Sequence, residues 1–508
     1  MASGWILAAV LLPIAVGIIV LQLHEKAERL ILGITGAGTV LTSLLAWILI
    51  LRGTTGSVSF LHFTGSLSLH LQIDGAGRFF AGIVATLWPL TVLYASSYMQ
   101  GDERLNRFYG FFTIAYGVTL GIAFSGNLFT LYCFYEMLTL STIPLVMHPM
   151  TREADQAALT YFELSLGGAA LAFVSMMYLM MHDGAVPGNA TTQLFYLLGF
   201  FGFGVKAAVF PLHFWLPRAS VAPTPVTALL HAAAVVTAGV FAILRLTWYG
   251  YGVENLRNSF AQVIALGFAI FTVLYGAVKA VRERHWKRRL AYSTIANLSY
   301  MLFGILLLTE EGLTGGLLHM AFHSGIKILA FFAAGAVLHV SGREYVTEMD
   351  GLARRMPVTF ACYTAAALAL TGIPPFAGFF SKWNLLTAAT AAFTTGTTSR
   401  VAETAAGDVL SSVVTIEAGI GALTILAAAL LTAIYSMSVA IRALFPDRDA
   451  DLSGLDQIHE ADFRMLIPLV MLAVGILVTG LLGGQIRTVI ETIRPDMALS
   501  VLNSLPKG

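Results

Sequence analysis

Residues 203–239 read FGVKAAVFPLHFWLPRASVAPTPVTALLHAAAVVTAG. The first half is an apolar, helix-forming run. It carries Lys206, meets Pro211 and ends in the turn Trp215-Leu216-Pro217-Arg218. A second apolar run opens in the Pro-rich segment Pro223 to Pro225 and carries His231. Pro211 leaves a carbonyl one turn earlier without its intrahelical donor, and that carbonyl calls for water or a side chain. In hydrocarbon an unpaired backbone group, a lysine and a histidine each cost free energy. Their coincidence in one stretch points to a wetted path for ions.

The rest of the chain has the composition of a membrane protein. Of its 508 residues, 57% are hydrophobic and 11% charged, with a mean hydropathy of +0.79. A soluble domain carries roughly 25% charged residues, so there is too little charge here to cover a soluble surface. The net charge of +1 leaves neither a basic face for nucleic acid nor an acidic tail. Cys133 and Cys362 both lie in apolar segments and offer no disulfide framework or metal site. The N-terminus lacks a basic leader and runs at once into a second hydrophobic segment, so it reads as a first span rather than a signal peptide. No nucleotide loop, haem-attachment motif, cluster-binding cysteine set or nucleophile–base pattern is present. No cofactor and no catalytic chemistry are therefore expected of this chain alone.

A spanning helix needs about 20 apolar residues, and about fourteen candidates meet that length. They are 4–22, 28–51, 78–98, 109–125, 127–147, 156–181, 193–214, 224–247, 259–281, 290–308, 313–339, 357–386, 415–445 and 464–485. The run 54–77 alternates and predicts a short extramembrane hairpin. The Thr-, Ala- and Ser-rich run 387–414 predicts a loop. Lysines and arginines crowd the odd-numbered loops, above all Arg282, Arg284, Lys287, Arg288 and Arg289, with Arg448 further on. The even-numbered loops hold Arg52, Arg78, Arg257 and Arg400. The positive-inside rule then puts the odd loops in the cytoplasm and both termini on the outer side of the cell membrane. Helix 12 (Gly372-Ile373-Pro374-Pro375, then Lys382) echoes helix 7 (Lys206, Pro211) five helices later. Five is odd, so the two units would enter the membrane from opposite sides. The expected fold is an all-α polytopic membrane protein with two inverted five-helix repeats, helices 4–8 and 9–13, broken at helices 7 and 12. The segments are 1–108 (three N-terminal helices), 109–247 and 259–445 (the repeats), and 464–508 (a last helix and tail).

Ionisable residues inside these segments are the candidate site. Glu136 lies mid-helix 5, where a carboxylate costs about 2.5–3.5 kcal/mol unless paired or protonated. It is a proton carrier or a lysine partner, or else a helix-packing hydrogen bond. Lys206 can release its proton when desolvated, as an arginine could not. His213, near the end of helix 7, reads as a surface or turn residue. His231 has an ordinary range suited to relays, against the plain alternative of a packing histidine. In helix 11, His319, His323 and Lys327 are spaced i, i+4, i+8 and share one face. Two histidines at i, i+4 also suit a metal, but no third ligand is evident and Lys327 disfavours a cation. Lys382 repeats the setting of Lys206 and could end the path on the outer side. Glu163 and Glu417 rank second, either being solvated if it lies near a helix end.

Four motifs carry a resemblance: the 203–239 stretch, HMAFHSGIKILAFFAAGAVLH, LTGIPPFAGFFSK and RRLAYSTIANLSYM. They resemble the antiporter-like membrane subunits of respiratory complex I. They are equally similar to the large subunits of Mrp-type cation/proton antiporters and of membrane-bound hydrogenases. The resemblance covers helices 4 to 13 and implies fourteen helices with two inverted repeats. It implies that Glu136 pairs with Lys206, that His231 is a relay, that His319, His323 and Lys327 are the connecting residues of helix 11, and that Lys382 serves the exit half-channel. Little chain follows helix 14, which favours an Mrp D-like or hydrogenase-type subunit over the largest subunit of complex I. Helix 10 shows no titratable counterpart of Glu136. The implied function is proton translocation within a multisubunit membrane complex, with sodium or potassium left open as the exchanged ion. The rivals are a non-conducting scaffold subunit and a proton-driven subunit energising uptake of another solute, such as inorganic carbon. Whether an oxidoreductase such as a quinone reductase or hydrogenase is coupled stays open.

Overall fold

The computed structural model describes residues 2–53, 56–64, 67–182, 184–402, 409–447, 452 and 454–503. In chain order the elements begin with α1 (Ala2–Gln22), α2 (Glu28–Leu51), β1 (Ser57–Thr64) and β2 (Leu67–Gln72). Next come α3 (Gly75–Tyr98), α4 (Leu105–Ala123), α5 (Leu128–Val146), α6 (Arg152–Met181) and α7 (Ala190–Gly204). The short α8 (Trp215–Arg218) precedes α9 (Thr224–Ala232), α10 (Val235–Leu244), a π-helical stretch Arg245–Tyr251 and α11 (Val253–Leu256). Then follow α12 (Phe260–Arg282), α13 (Trp286–Leu306), α14 (Glu310–Ser341), α15 (Pro357–Thr371) and α16 (Ala377–Ala402). The chain closes with α17 (Val409–Leu444), α18 (Phe463–Leu481) and α19 (Gly483–Asn503). Among the described residues, ten helical runs are long and apolar enough to cross a membrane. The expected helices at 109–125, 193–214, 290–308 and 357–386 also form, but they are shorter, broken or less apolar.

Two compact units divide the chain. The first takes Met1–Ala207, Val221–Leu256 and Ile490–Gly508, the second Ala208–Ser220 and Arg257–Val489, each for its described residues. In the first, Trp88 of α3 stacks on Tyr116 of α4 at 4.8 Å, and the Tyr116 hydroxyl lies 2.7 Å from Ser43 Oγ of α2. The expected hairpin is present as antiparallel β1 and β2. It is stitched to the α4–α5 corner: the Gln72 amide donates to the Phe124 carbonyl (2.7 Å) and the Gly126 amide to the His70 carbonyl (2.8 Å). These bonds satisfy backbone groups that a two-stranded ribbon leaves open.

Three local features depart from the sequence expectation. The run 387–414 is not a loop throughout: α16 continues to Ala402 and α17 starts at Val409, with 403–408 outside the described residues. Threonines there bond back to their own helix, Thr390 to the Leu386 carbonyl (3.0 Å) and Thr394 to the Thr390 carbonyl (2.9 Å). With the hydroxyls so satisfied, alanine's propensity carries the helix on. Helix 8 is interrupted: the Leu229 carbonyl accepts from both Ala233 (3.1 Å) and Ala234 (2.9 Å), an inserted residue that splits α9 from α10. Finally, α19 follows the fourteenth expected helix, where the sequence predicts only a short tail. Arg448 and residues 504–508, used in the orientation count and the last segment, lie outside the described residues.

Candidate proton-transfer site

The break after α7 positions Lys206. The helix stops at Gly204, so Lys206 lies just past its end rather than deep inside it. Ala208 takes a left-handed φ of 54°, and no regular helix resumes before Trp215. Lys206 is fully buried. Its Nζ donates to the Tyr135 carbonyl and stands 3.4 Å from the centre of the Tyr135 ring. The Tyr135 hydroxyl donates in turn to the Phe203 carbonyl at 3.1 Å, which fastens the frayed end of α7 to α5. Carbonyl dipole and ring face together offset part of the cost of an ammonium in a dry interior.

Glu136, the next residue on α5, is half-buried, and its Oε1 is enclosed without a hydrogen-bond partner. It interacts with Lys206 through space. Among the described residues the two make no direct ion pair, because Lys206 is held on Tyr135 instead. His231 is fully buried in the last turn of α9, immediately before the interruption of helix 8. Packing of α10 against the break is direct. A Cβ on Gly239 would lie 2.7 Å from the Lys206 carbonyl carbon, so only glycine permits this approach. Gly239→Val should destabilise the protein by about 1–3 kcal/mol through overpacking. It should also displace Lys206, seen as a lowered thermal midpoint together with reduced transport.

In the second unit the helix-11 row lies on α14, and the structure joins it to α13, α16 and α17. His319 Nε2 lies 3.1 Å from Asn297 Oδ1, and its Nδ1 lies 3.0 Å from Ser381 Oγ. Asn297 is oriented by donating from Nδ2 to the Ser293 carbonyl (2.7 Å). It therefore presents its oxygen to His319, and the ring carries a proton on Nε2. The His323 ring stacks on His319 at 5.9 Å. Lys327, fully buried, donates to Ser293 Oγ (2.6 Å) and to the Leu290 carbonyl (3.1 Å).

The direction of the bonds beyond Lys327 follows from one fixed end. Thr432 donates to the Ala428 carbonyl (2.7 Å), so the Tyr435 hydroxyl donates to Thr432 Oγ1 (3.2 Å). Ser293 then donates to Tyr435 (2.6 Å) and accepts from Lys327. All four donors point away from the ammonium, an alignment that strengthens each bond in turn.

Lys382 sits in the second turn of α16 after the second break. Gly372 caps α15 with φ 91°, and the Ile373 amide returns to the Leu368 carbonyl (3.1 Å). Two carbonyls left open at that helix end, Leu370 (2.5 Å) and Thr371 (3.3 Å), accept from Lys382 Nζ.

The secondary candidates lie apart from these bonded rows. Glu163 is exposed on α6. Glu417 is half-buried on α17 beside Gly267 of α12, where a Cβ would lie 3.1 Å from its Oε1. His213 lies in a turn as expected, but it is buried rather than on the surface, 3.1 Å from the Tyr275 hydroxyl. Sequence reasoning missed Tyr135, Ser293, Asn297 and Tyr435. Only Ser293 and Asn297 left a signal, polar residues spaced i, i+4 on one face of the expected span 290–308. It also missed Asp74 and Arg245, a buried bidentate pair in the first unit in which Arg245 Nη2 lies 2.7 Å from Asp74 Oδ1.

Helices broken beside buried lysines, with polar side chains aligned between helices, define a polytopic helical membrane protein with titratable groups in its interior. Residues 125–402 match the family described as NADH:quinone oxidoreductase/Mrp antiporter, TM, and the chain belongs to it. It is a multi-pass membrane protein. It is 31% identical over 453 residues to NADH-quinone oxidoreductase subunit N of Desulforudis audaxviator, covering 82% of this chain and 83% of that protein. It is 33% identical over 396 residues to NAD(P)H-quinone oxidoreductase chain 5 of a Picosynechococcus species. That match covers 72% of this chain but only 58% of the relative's length. The solved Mrp complex from a Dietzia species contains a chain with the same fold. Its TM-score is 0.82 at 19% identity, covering 98% of this chain and 99% of that one.

Proposed function

We propose that the chain is a proton-translocating, cation/proton antiporter-like subunit of a multisubunit complex in the cell's plasma membrane. The observation that carries this reading is the bonded row on α14. Lys327 heads four aligned donors, and the His319 ring is oriented between Asn297 and Ser381. A buried amine and an oriented imidazole are groups that can take up and release a proton, whereas a passive scaffold has no use for them. Glu136, Lys206 and His231 form the proton-exchanging set of the first unit. His319, His323, Lys327 and Lys382 form that of the second. Sodium or potassium is the candidate exchanged ion; sodium is the ion named for the Na+/H+ antiporter subunit A1 of Staphylococcus aureus, a relative that is 26% identical.

The same reading takes the chain as about fourteen spanning helices, counting the shorter and broken ones. Residues 109–247 and 259–445 are then inverted five-helix repeats, with 1–108 and 464–508 outside them and both termini on the outer side. The breaks after α7 and α15, each followed by a buried lysine bound to a backbone carbonyl or lying beside one, support that pairing. Lys327→Ala tests the function. In vesicles carrying the chain with its co-purifying subunits, dye-reported proton movement should fall about 10²-fold, the scale of a lost acid–base group. Undiminished movement with the complex intact would refute the proposal.

A further inference from the structure

The α6 helix carries a charge that neither set of buried groups uses. Glu163 is exposed, ~12 Å along the axis beyond Asp155 and ~27 Å before the helix end at Met181. Its neighbours on the helix surface are exposed and apolar: Leu159 (56%), Phe162 (38%) and Leu166 (58%). Among the described residues, no other exposed Asp, Glu, Lys or Arg stands as deep inside a candidate span. An ionised side chain in the middle of a bilayer is costly when it faces lipid, and such residues face a protein interior or a charged partner. Lipid tails offer no cation at that depth.

We infer that the face of α6 around Glu163 docks a membrane-spanning helix of another subunit of the complex, one that presents a lysine or arginine to this carboxylate. The inference rests on the reading of the chain as one subunit among several. Charge complementarity selects the occupant. The apolar shoulders Leu159, Phe162 and Leu166 would seat against the partner helix and keep water from the pair, which strengthens the attraction. A second helix of purely apolar surface would leave the carboxylate stranded, and lipid would do the same.

The test uses the native complex, purified through a tag on this chain, with a benzoylphenylalanine photo-crosslinker at position 162 or, as control, at Leu430, which is 70% exposed on α17. The expected adduct from position 162 joins one membrane subunit at a spanning helix that contains a lysine or arginine. Glu163→Lys should lower recovery of that subunit about tenfold, as loss of one desolvated charge partner does, with this chain still at its wild-type level in the membrane. Replacing the partner's cation by glutamate should restore recovery in the Glu163→Lys background. Glu163→Gln, which hardly alters shape, should lower recovery in the same direction. Adducts to lipid alone at both positions, or full recovery in Glu163→Lys, would overturn the inference. Because the readout is assembly, it is independent of proton movement, and the interface and the proposed transport can fail separately.

Discussion

Lys206→Ala should reduce proton movement in reconstituted vesicles about 10²-fold or more while leaving the complex assembled. The side chain is fully buried, and its Nζ is held by the Tyr135 carbonyl over the Tyr135 ring. Removing the amine costs little structure. Tyr135 lies inside α5, so its carbonyl keeps a helical partner, and the Tyr135 hydroxyl still fastens Phe203. What disappears is the one amine in the first break that can alternate between charged and neutral near Glu136. Lys206→Arg separates this account from a merely electrostatic one. A guanidinium keeps the charge but does not give up its proton, so transport should stay as low as in the alanine variant. Wild-type rates in Lys206→Arg would show that a fixed positive charge suffices.

Asp74→Ala should have the largest effect on stability, about 3–5 kcal/mol, because it strands a buried guanidinium. Asp74 caps the start of α3 by accepting from the Gly77 amide (2.7 Å) and holds Arg245 through both carboxylate oxygens. Arg245 opens the π-helical stretch and lies between the rings of Phe241 (4.9 Å) and Tyr249 (4.5 Å). The loss would be read as a lower thermal midpoint and early loss of compactness in detergent. Arg245→Met in the same background should recover much of it, since an apolar pair of similar volume avoids the uncompensated charge. If the double variant is no more stable than Asp74→Ala, the penalty comes from the cap rather than the stranded ion.

Much of this was written in the order of residues. A membrane protein follows from hydropathy alone, because no arrangement of 11% charged residues covers a soluble surface. The breaks were legible from proline and glycine, since Pro211 removes a donor and Gly372 accepts a backbone conformation other residues resist. The row His319, His323 and Lys327 was legible from helical periodicity. The interruption of helix 8 was not. It lies in a run of alanines with no proline or glycine, and arises from a Leu229 carbonyl shared by two amides.

Sequence by itself determined where polar groups interrupt the apolar spans, because those costs depend on residue type and spacing. Only the tertiary structure decided which partner each buried group takes. Lys206 settles on Tyr135 rather than directly on Glu136, and Lys382 on the open carbonyls of α15. Ser293 and Asn297 on α13 and Tyr435 on α17 are ordinary residues until packing brings them to Lys327 and His319 on α14. The physical reason is range: propensity and hydropathy act within a few residues, whereas a buried donor is satisfied by whatever acceptor the fold places within about 3 Å.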